Sequence, residues 1–224
     1  MAGLFITFEG TEGAGKSTLI RRFADILEQK QHRVTITREP GGITLAEEIR
    51  KVILNNQMAP RTELFLYEAA RSEHLDKVVV PALERGDVVL CDRFTDSSLA
   101  YQSHARGLPW QDVKQANRLA TGGTQPQLTV LLDIDPETGL RRAVEQTRFE
   151  AEGVVFQTKV RQGFLKSRSE NPKRWLVLKV EGRTPDELAD QVWRAVEKRF
   201  FSAKAKTKRI KKMRKTHGQK KNRR

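Results

Sequence analysis

Cysteine is nearly missing from this sequence: Cys91 is the single one among 224 residues. An intrachain disulfide is therefore excluded, and the apolar run around Cys91 favours a small buried side chain over a nucleophile. The four histidines lie far apart and show no metal-ligand spacing. No apolar stretch reaches the roughly 18 residues that span a bilayer, and the N-terminus has no basic region followed by an apolar one. We therefore expect a soluble cytoplasmic protein.

Acidic residues are absent from the C-terminal segment 202–224, which contains 12 lysines and arginines. The remaining 30 basic and 28 acidic residues give residues 1–201 a net charge of +2, so the basic character belongs to this segment. Because it has almost no apolar residues to bury, we expect a disordered tail after one domain at 1–201. The tail either contacts nucleic acid or another acidic surface, or it is a solvated extension without a specific partner.

A complete phosphate-binding pattern, G-x-x-x-x-G-K-S/T, is present at Gly10, Gly15, Lys16 and Ser17. Glycines allow positive φ, so that backbone N–H groups can approach phosphate oxygens. A helix that starts at Lys16 adds the positive end of its dipole, the lysine supplies a charge to the β- and γ-phosphates, and the serine hydroxyl can bind Mg²⁺. The alternative is a helix-capping loop with an accidental match. The residues expected to contact the triphosphate are Gly10, Thr11, Glu12, Gly13, Ala14, Gly15, Lys16, Ser17 and Thr18.

Short β-type runs alternate with helical patterns, which predicts a parallel five-stranded sheet with helices on both faces. Ligands bind such sheets at the carboxyl ends of the strands, where the phosphate-binding loop, residues 38–42 and residues 92–94 would meet. The clearest helix starts are at Asp135-Pro136 and at the capping box that begins at Thr184. The predicted strands are 4–9, 34–37, 88–92, 128–133 and 175–180, and the predicted helices lie near 16–30, 44–55, 62–85, 96–121 (broken), 136–145, 154–170 and 185–200.

Two charged residues follow the apolar run 88–91. In a protein with a phosphate-binding loop, Asp92 is placed to hold Mg²⁺ together with Ser17, often through water; the alternative is a cap at the strand end. Arg93 is placed to bridge donor and acceptor phosphates during phosphoryl transfer; the alternative is a surface ion pair.

Several stretches match the motifs of one known family. They are 8–18, 37–42 with 45–47, 66–71, 92–94 with 97–98 and 100–102, 131–133, and 159–164. Together they resemble bacterial thymidylate (dTMP) kinases over about residues 3–200. The resemblance implies a P-loop nucleotide-kinase fold that transfers the γ-phosphoryl group of ATP to dTMP, giving dTDP and ADP. It also implies a homodimer through the helices after the second and third strands.

The resemblance assigns roles in binding the nucleoside. Tyr67 would stack on thymine, an interaction typically worth about 1–3 kcal/mol, and Arg71, four residues later on the same helical face, would bond a pyrimidine carbonyl. Ser98 and Gln102 would contact the base edge, and Tyr101 would crowd the sugar 2′ position. Core packing remains the alternative for Tyr67, and ordinary helix surface for Ser98, Tyr101 and Gln102.

The resemblance also assigns roles around the acceptor phosphate and sugar. Arg38 would bind the monophosphate, since a guanidinium matches phosphate geometry, and Pro40 would stiffen the turn that carries it. Glu12, an acid inside the phosphate-binding loop, would contact the sugar 3′-hydroxyl.

The charged stretch 141–152 resembles the lid of this family, and lids close over phosphates and exclude water. Because residues 11–14 contain no arginine, the catalytic positive charge would come from the lid, with Arg148 as the first candidate and Arg142 as the second. The stretch is about three residues shorter than the usual pattern, and a solvated run of helix-end charges is the alternative interpretation.

Two other functions stay open. One is a related P-loop nucleoside or nucleotide kinase that differs in its acceptor. The other is a P-loop nucleotide-binding factor that uses the basic tail to bind RNA. A guanine-binding switch usually carries an N-K-x-D motif, and here Asn117 is followed by Arg118-Leu119-Ala120.

Overall fold

The computed structural model describes residues 3–143 and 148–202, which form a five-stranded parallel sheet covered by helices. The strand order is β2-β3-β1-β4-β5, and each neighbouring pair is parallel, which confirms the predicted fold class. The strands are β1 (Leu4–Glu9), β2 (Val34–Arg38), β3 (Val88–Asp92), β4 (Leu128–Asp133) and β5 (Trp175–Lys179). The α-helices are α1 (Lys16–Gln29), α2 (Thr44–Asn55), α3 (Pro60–His74), α4 (Val80–Glu84), α5 (Thr95–Ser98), α6 (Trp110–Thr121), α7 (Pro136–Arg142), α8 (Arg148–Ala151), α9 (Gly153–Glu170) and α10 (Pro185–Val196). The predicted disordered tail lies outside the described residues from 203 onward.

The central strand β1 divides the core into two halves, because its side chains alternate between the two faces of the sheet. Leu4, Ile6 and Phe8 pack with residues of α1 and α10. Phe5 points to the other face, where it meets the Phe94 ring edge-on at 5.0 Å. These side chains are fully buried, and burial of each contributes about 1.5–3 kcal/mol.

The long helix predicted at 62–85 is interrupted. It consists of α3, a π-helical stretch Leu75–Val79 and α4. Pro81 lies in the first turn of α4, and its missing N–H removes one helical hydrogen bond, which accounts for the change of hydrogen-bonding pattern.

The predicted break within 96–121 is confirmed. Helix α5 continues into a π-helical stretch, Leu99–Ala105, and α6 begins after Gly107-Leu108-Pro109. Both clear helix starts also form as predicted: the Asp135 carboxylate accepts from the Thr138 N–H at 2.9 Å, and Thr184 and Glu187 form a reciprocal capping box.

The strand register brings three polar segments to one edge of the sheet. Arg38 pairs with Asp92 across β2 and β3, and Phe8 pairs with Asp92 across β1 and β3. The loop after β1, the turn after β2 and residues 92–94 therefore meet at the carboxyl ends of adjacent strands, as the sequence predicts.

Candidate active site

The loop between β1 and α1 has the backbone that an anion-binding loop needs. Gly10, Gly13 and Gly15 have φ values of +152°, +67° and +88°, which L side chains rarely adopt. A Cβ on Gly13 would lie 1.8 Å from the carbonyl oxygen of Gly139 in α7. Conformation and close packing therefore both require glycine at Gly13.

Lys16 is the first residue of α1 and folds back over this loop. Its ammonium donates to the carbonyl oxygens of Gly10 at 3.3 Å and Thr11 at 3.1 Å. Burial lowers the pKa of Lys16, and the positive charge of Arg93 lowers it further. Phosphate oxygens bind an ammonium more strongly than neutral carbonyls do, so a phosphate can replace both partners.

Ser17 and Asp92 form a site suited to a hard cation. The Ser17 hydroxyl donates to Asp92 Oδ2 at 2.9 Å. Asp92 Oδ1 is buried and has no hydrogen-bond partner among the described residues. A buried carboxylate oxygen without a partner, next to a hydroxyl and beside an anion-binding loop, fits the oxygen ligands that Mg²⁺ prefers.

Arg93 connects the end of β3 to the phosphate-binding loop. Its backbone has a φ of +69°, which costs a non-glycine residue about 1–2 kcal/mol. Nη1 donates to the Gly10 carbonyl at 3.0 Å and to Ser97 at 3.3 Å, and Nη2 donates to Glu12 at 2.6 Å. These contacts aim the guanidinium across the loop, and backbone strain of this kind is typical of functional positions.

Glu12 lies between two donors. Its Oε1 accepts from Arg93 Nη2 at 2.6 Å and from the Tyr101 hydroxyl at 2.8 Å. Burial alone would raise the pKa of Glu12, but the charges of Arg93 and Lys16, with the two hydrogen bonds, lower it to about 2. The carboxylate is therefore ionised at neutral pH and offers its free lone pairs to a ligand.

Two cavities meet at Glu12 and Arg93. The larger, about 440 Å³, is lined by the phosphate-binding loop, Arg38 and Asp92. The smaller, about 110 Å³, opens beside it and shares Glu12 and Arg93 in its lining. Its lining includes Glu12, Pro40, Tyr67, Arg71, Arg93, Ser98, Tyr101 and Gln102. The residues predicted to bind the acceptor therefore surround one pocket, except Arg38, which lines the larger cavity.

Arg71 lines the smaller pocket and donates hydrogen bonds to several side chains. Nε donates to Glu39 at 2.7 Å, and Nη1 donates to Glu68 at 2.6 Å, to Asn117 at 2.7 Å and to Ser98 at 3.1 Å. Burial opposes the charge, but Glu68 and Glu39 raise the pKa of Arg71 above its usual range. Within residues 3–143 and 148–202, Nη2 makes no hydrogen bond, so this nitrogen is available to a ligand.

Arg38 is held differently. Its guanidinium forms an ion pair with Glu47, with Nη2 donating to Oε2 at 2.8 Å and Nε donating to Oε1 at 3.3 Å. Half of the Arg38 side chain is exposed. Glu47 also accepts from the Gly42 N–H at 3.0 Å.

The two lid arginines lie in different places. Arg142, in the last turn of α7, lines the larger cavity beside the phosphate-binding loop. Arg148 donates from Nε to the Ile53 carbonyl at 2.6 Å and from Nη2 to Glu63. The predicted contact between Arg148 and ATP stays a prediction, and this arrangement favours Arg142 on the donor side. Residues 144–147, in the middle of the predicted lid, lie outside the described residues.

A buried chain of polar groups supports Arg71 from behind. The imidazole of His74 contacts Glu39 through Nδ1 at 3.0 Å and Thr37 through Nε2 at 2.6 Å. Cys91 lies close enough to complete a three-residue set of possible metal ligands. Burial raises the pKa of its thiol, however, and Sγ lies 3.1 Å from the Arg93 carbonyl as a donor. Since both imidazole nitrogens have partners, we interpret this cluster as a support for Arg71.

Glu63 is completely buried and is a site residue that the sequence motifs did not reveal. It accepts from Gln102 and Arg106 with one oxygen and from Arg148 with the other. Helical spacing was the available signal, because Glu63 is four residues before Tyr67 and eight before Arg71.

Comparison with known proteins agrees with this geometry. The family model described as thymidylate kinase matches residues 8–192. The chain belongs to the thymidylate kinase family. Among its relatives, thymidylate kinase of Bacillus velezensis is 50% identical over 78% of this chain and 86% of its own length, and that of Deinococcus radiodurans is 47% identical over 88% and 98%.

The fold agrees with a solved member of the family. The crystal structure of thymidylate kinase from Ehrlichia chaffeensis has a TM-score of 0.74 and 30% sequence identity, and the match covers 88% of this chain and 100% of that one. Among the described helices of this chain, none combines the length and the apolar character needed to cross a membrane.

Proposed function

We propose that this chain, as a member of the thymidylate kinase family, phosphorylates dTMP to dTDP with the γ-phosphoryl group of ATP, and that the reaction takes place where the two cavities meet. ATP phosphates occupy the larger cavity, on the loop at residues 10–18, and the acceptor occupies the smaller one. The observation that carries this assignment is Arg93, which lines both cavities and contacts both the loop and Glu12. A guanidinium there can neutralise charge on the phosphoryl group in transit. We also propose that the protein acts in the cytoplasm, where ATP is available.

On the donor side, Lys16 contacts the β- and γ-phosphates and Arg142 adds positive charge from α7. Ser17 and Asp92 would hold Mg²⁺, and Asp92 Oδ1, which has no hydrogen-bond partner among the described residues, supports this assignment. Bound there, the metal would supply positive charge that offsets the negative charge of the phosphates.

On the acceptor side, the pocket walls match a pyrimidine nucleotide. Tyr67 stacks on the base while the free Nη2 of Arg71 donates to a pyrimidine carbonyl, and Ser98 and Gln102 lie at the base edge. Tyr101 and Glu12 are next to the sugar. Arg38 binds the monophosphate at the border with the larger cavity, and Pro40 shapes the turn below it.

The test is ADP formation with ATP and Mg²⁺ across a panel of nucleoside monophosphates. We expect dTMP to be the best acceptor, and Lys16→Ala to lower kcat by about 10²–10³-fold because a charge at the transferred group is lost. The exposed Lys51→Ala, on α2, is the matched control. Clear preference for CMP, dUMP or AMP would contradict the assignment of Tyr67, Arg71 and Ser98, and full kcat in Lys16→Ala would contradict the donor site.

We also propose a homodimer through α2, α3 and α6. These helices pack side by side and leave Leu45, Val52, Phe65 and Leu119 exposed, the last at 85%. Several exposed apolar side chains on one helical layer are typical of a protein interface. Phe65→Lys should shift the molar mass measured by light scattering from dimer to monomer, whereas Val155→Lys, at an exposed apolar position on α9, should not.

For the basic segment 202–224 we propose nucleic acid as the partner. It has no aromatic residue to anchor in a membrane interface, and its charge suits a phosphate backbone. The proposed kinase domain, residues 1–201, should keep its turnover within a few-fold when 203–224 are deleted. Affinity for a labelled single-stranded oligonucleotide should fall sharply, and in the full chain log K should decrease with log salt by about 0.7 per phosphate contacted. Unchanged oligonucleotide affinity after deletion would contradict the proposal.

A further inference from the structure

We infer that the buried carboxylate of Glu63 positions two walls of the acceptor pocket, and that Arg148 acts through Glu63 on this pocket and not on ATP. The inference rests on the proposed function, since it concerns the site assigned to dTMP. It is carried by the contacts of one completely buried side chain in the first turn of α3.

The first wall is the one that carries Gln102. Glu63 Oε1 accepts from Gln102 Nε2 at 2.7 Å and from Arg106 Nε at 2.8 Å. Because the amide nitrogen of Gln102 donates to Glu63, the amide group is held in one orientation, with its carbonyl oxygen and its second N–H left for other partners. Glu63 therefore fixes the orientation in which a ligand can meet the Gln102 amide.

The second wall is formed by α8. Glu63 Oε2 accepts from Arg148 Nη2, and Arg148 Nε donates to the Ile53 carbonyl at 2.6 Å. The Arg148 guanidinium lies 4.4 Å from the centre of the Phe149 ring. Phe149 lines the acceptor pocket and meets the Tyr101 ring edge-on at 5.8 Å. By fixing the position of Arg148, Glu63 therefore also fixes the aromatic wall that Phe149 forms.

Charge balance favours this arrangement. Glu63 carries one negative charge and has two cationic partners, Arg106 and Arg148. The second acid in the cluster is Glu152, which accepts from Arg106 Nη1 at 2.9 Å. The four charges sum to zero, and the three most buried ones, on Glu63, Arg106 and Arg148, depend most on this pairing, since the Glu152 side chain is 35% exposed. If Arg148 left for a phosphate, Glu63 would lose one of its two charged partners in a fully buried position, which is costly.

Glu63 also interacts with a pocket residue on its own helix, α3. Tyr67 is one helical turn after Glu63, and burial, with the negative charge of Glu63, raises the pKa of its hydroxyl. Glu63 thus interacts with Tyr67, the proposed stacking residue, and with Gln102, the proposed base-edge residue. Through Arg148 it is also connected to the aromatic wall.

The test is steady-state kinetics of Glu63→Gln with each substrate varied in turn. An amide cannot accept from three donors as a carboxylate does, so we expect the KM for dTMP to rise by about tenfold or more, with the KM for ATP within about twofold and kcat within a few-fold. Glu84→Gln, an exposed glutamate at the end of α4, is the matched control and should leave each constant unchanged. A merely structural role would lower the active fraction, and with it kcat, without separating the two KM values.

Arg148→Met provides a second, independent readout if Glu63→Gln folds poorly. It keeps the apolar stem over Phe149 but removes the charge, and we expect a raised KM for dTMP with an unchanged KM for ATP. Loss of kcat by two orders of magnitude together with a raised KM for ATP would place Arg148 on ATP and overturn the inference, as would unchanged dTMP kinetics in both variants. If the wild-type chain does not phosphorylate dTMP, the proposed function fails first, and this outcome is distinguishable from the others.

Discussion

Replacing Glu12 with glutamine tests the electrostatics of the site most directly. The pKa of Glu12 is lowered from 4.5 to about 2, and its side chain is 20% exposed, so solvent screening is limited. Each pKa unit corresponds to 1.36 kcal/mol, so ionised Glu12 contributes up to about 3 kcal/mol to the free energy of unfolding. An amide oxygen still accepts from Tyr101, and we therefore expect Glu12→Gln to destabilise the protein by about 1–3 kcal/mol at pH 7.

The pH dependence of this loss has a definite sign. A carboxylate whose folded-state pKa is lowered stabilises the protein above its unfolded pKa, and this stabilisation is lost as the pH falls towards the folded pKa. The window here runs from about pH 5.5 down to about pH 2. At pH 4 the gap between wild type and Glu12→Gln should therefore be smaller than at pH 7 by about 1 kcal/mol.

Urea unfolding followed by tryptophan fluorescence at both pH values measures this gap. Differences between variants cancel the titration of the other groups, and Glu84→Gln controls for the loss of one acid. A gap below about 0.5 kcal/mol at pH 7, or one that does not shrink at pH 4, would refute the coupling of Glu12 to Arg93 and Lys16.

Two further substitutions test the frame around the site. Burial and the charge of Asp96 raise the pKa of Glu9 to about 8. The protonated Glu9 side chain therefore stabilises the protein fully below pH 4.5, and this stabilisation declines towards pH 8. Glu9→Gln should gain stability relative to wild type between pH 5 and 8, and a constant difference in urea unfolding would contradict this. Gly163→Ala places a Cβ 2.7 Å from the Cα of Ala100, and we expect a loss of about 1–3 kcal/mol from overpacking, against little change for the exposed Ser169→Ala.

Local patterns were sufficient to predict the fold from the sequence. The strand 4–9 and the glycine loop that follows it are contiguous, and the periodicity of α1 and the capping box at Thr184 are each visible within a few residues. The topological rule that ligands bind at the carboxyl ends of parallel strands then brings residues 38, 92 and 93 to the loop without any knowledge of their contacts.

The polar networks of the site were not predictable in the same way. Glu63 meets Arg148 across 85 positions of the chain, and Arg71 meets Asn117 across 46. The local periodicity of the sequence does not predict such distant pairs, and a charged residue in the sequence is equally consistent with an exposed position on the surface. The same holds for Arg148 of the predicted lid, whose ion pair with Glu63 joins two distant parts of the sequence.

The two arginines assigned to the acceptor have opposite physical settings, and this difference predicts how the site responds to its ligand. Arg71 is 2% exposed and held by two carboxylates, so its position is fixed before any nucleotide arrives. Arg38 is half exposed, and its pair with Glu47 is a surface ion pair of the kind worth about 0–1 kcal/mol. A phosphate dianion can displace Glu47 from Arg38 at little cost, whereas separating Arg71 from Glu39 and Glu68 would leave buried charges unpaired, which is costly. With the proposed assignment of Arg71 to the base and Arg38 to the phosphate, the base end of the pocket is preorganised and the phosphate end adapts, so selectivity for the base should survive changes at Arg38 that weaken affinity.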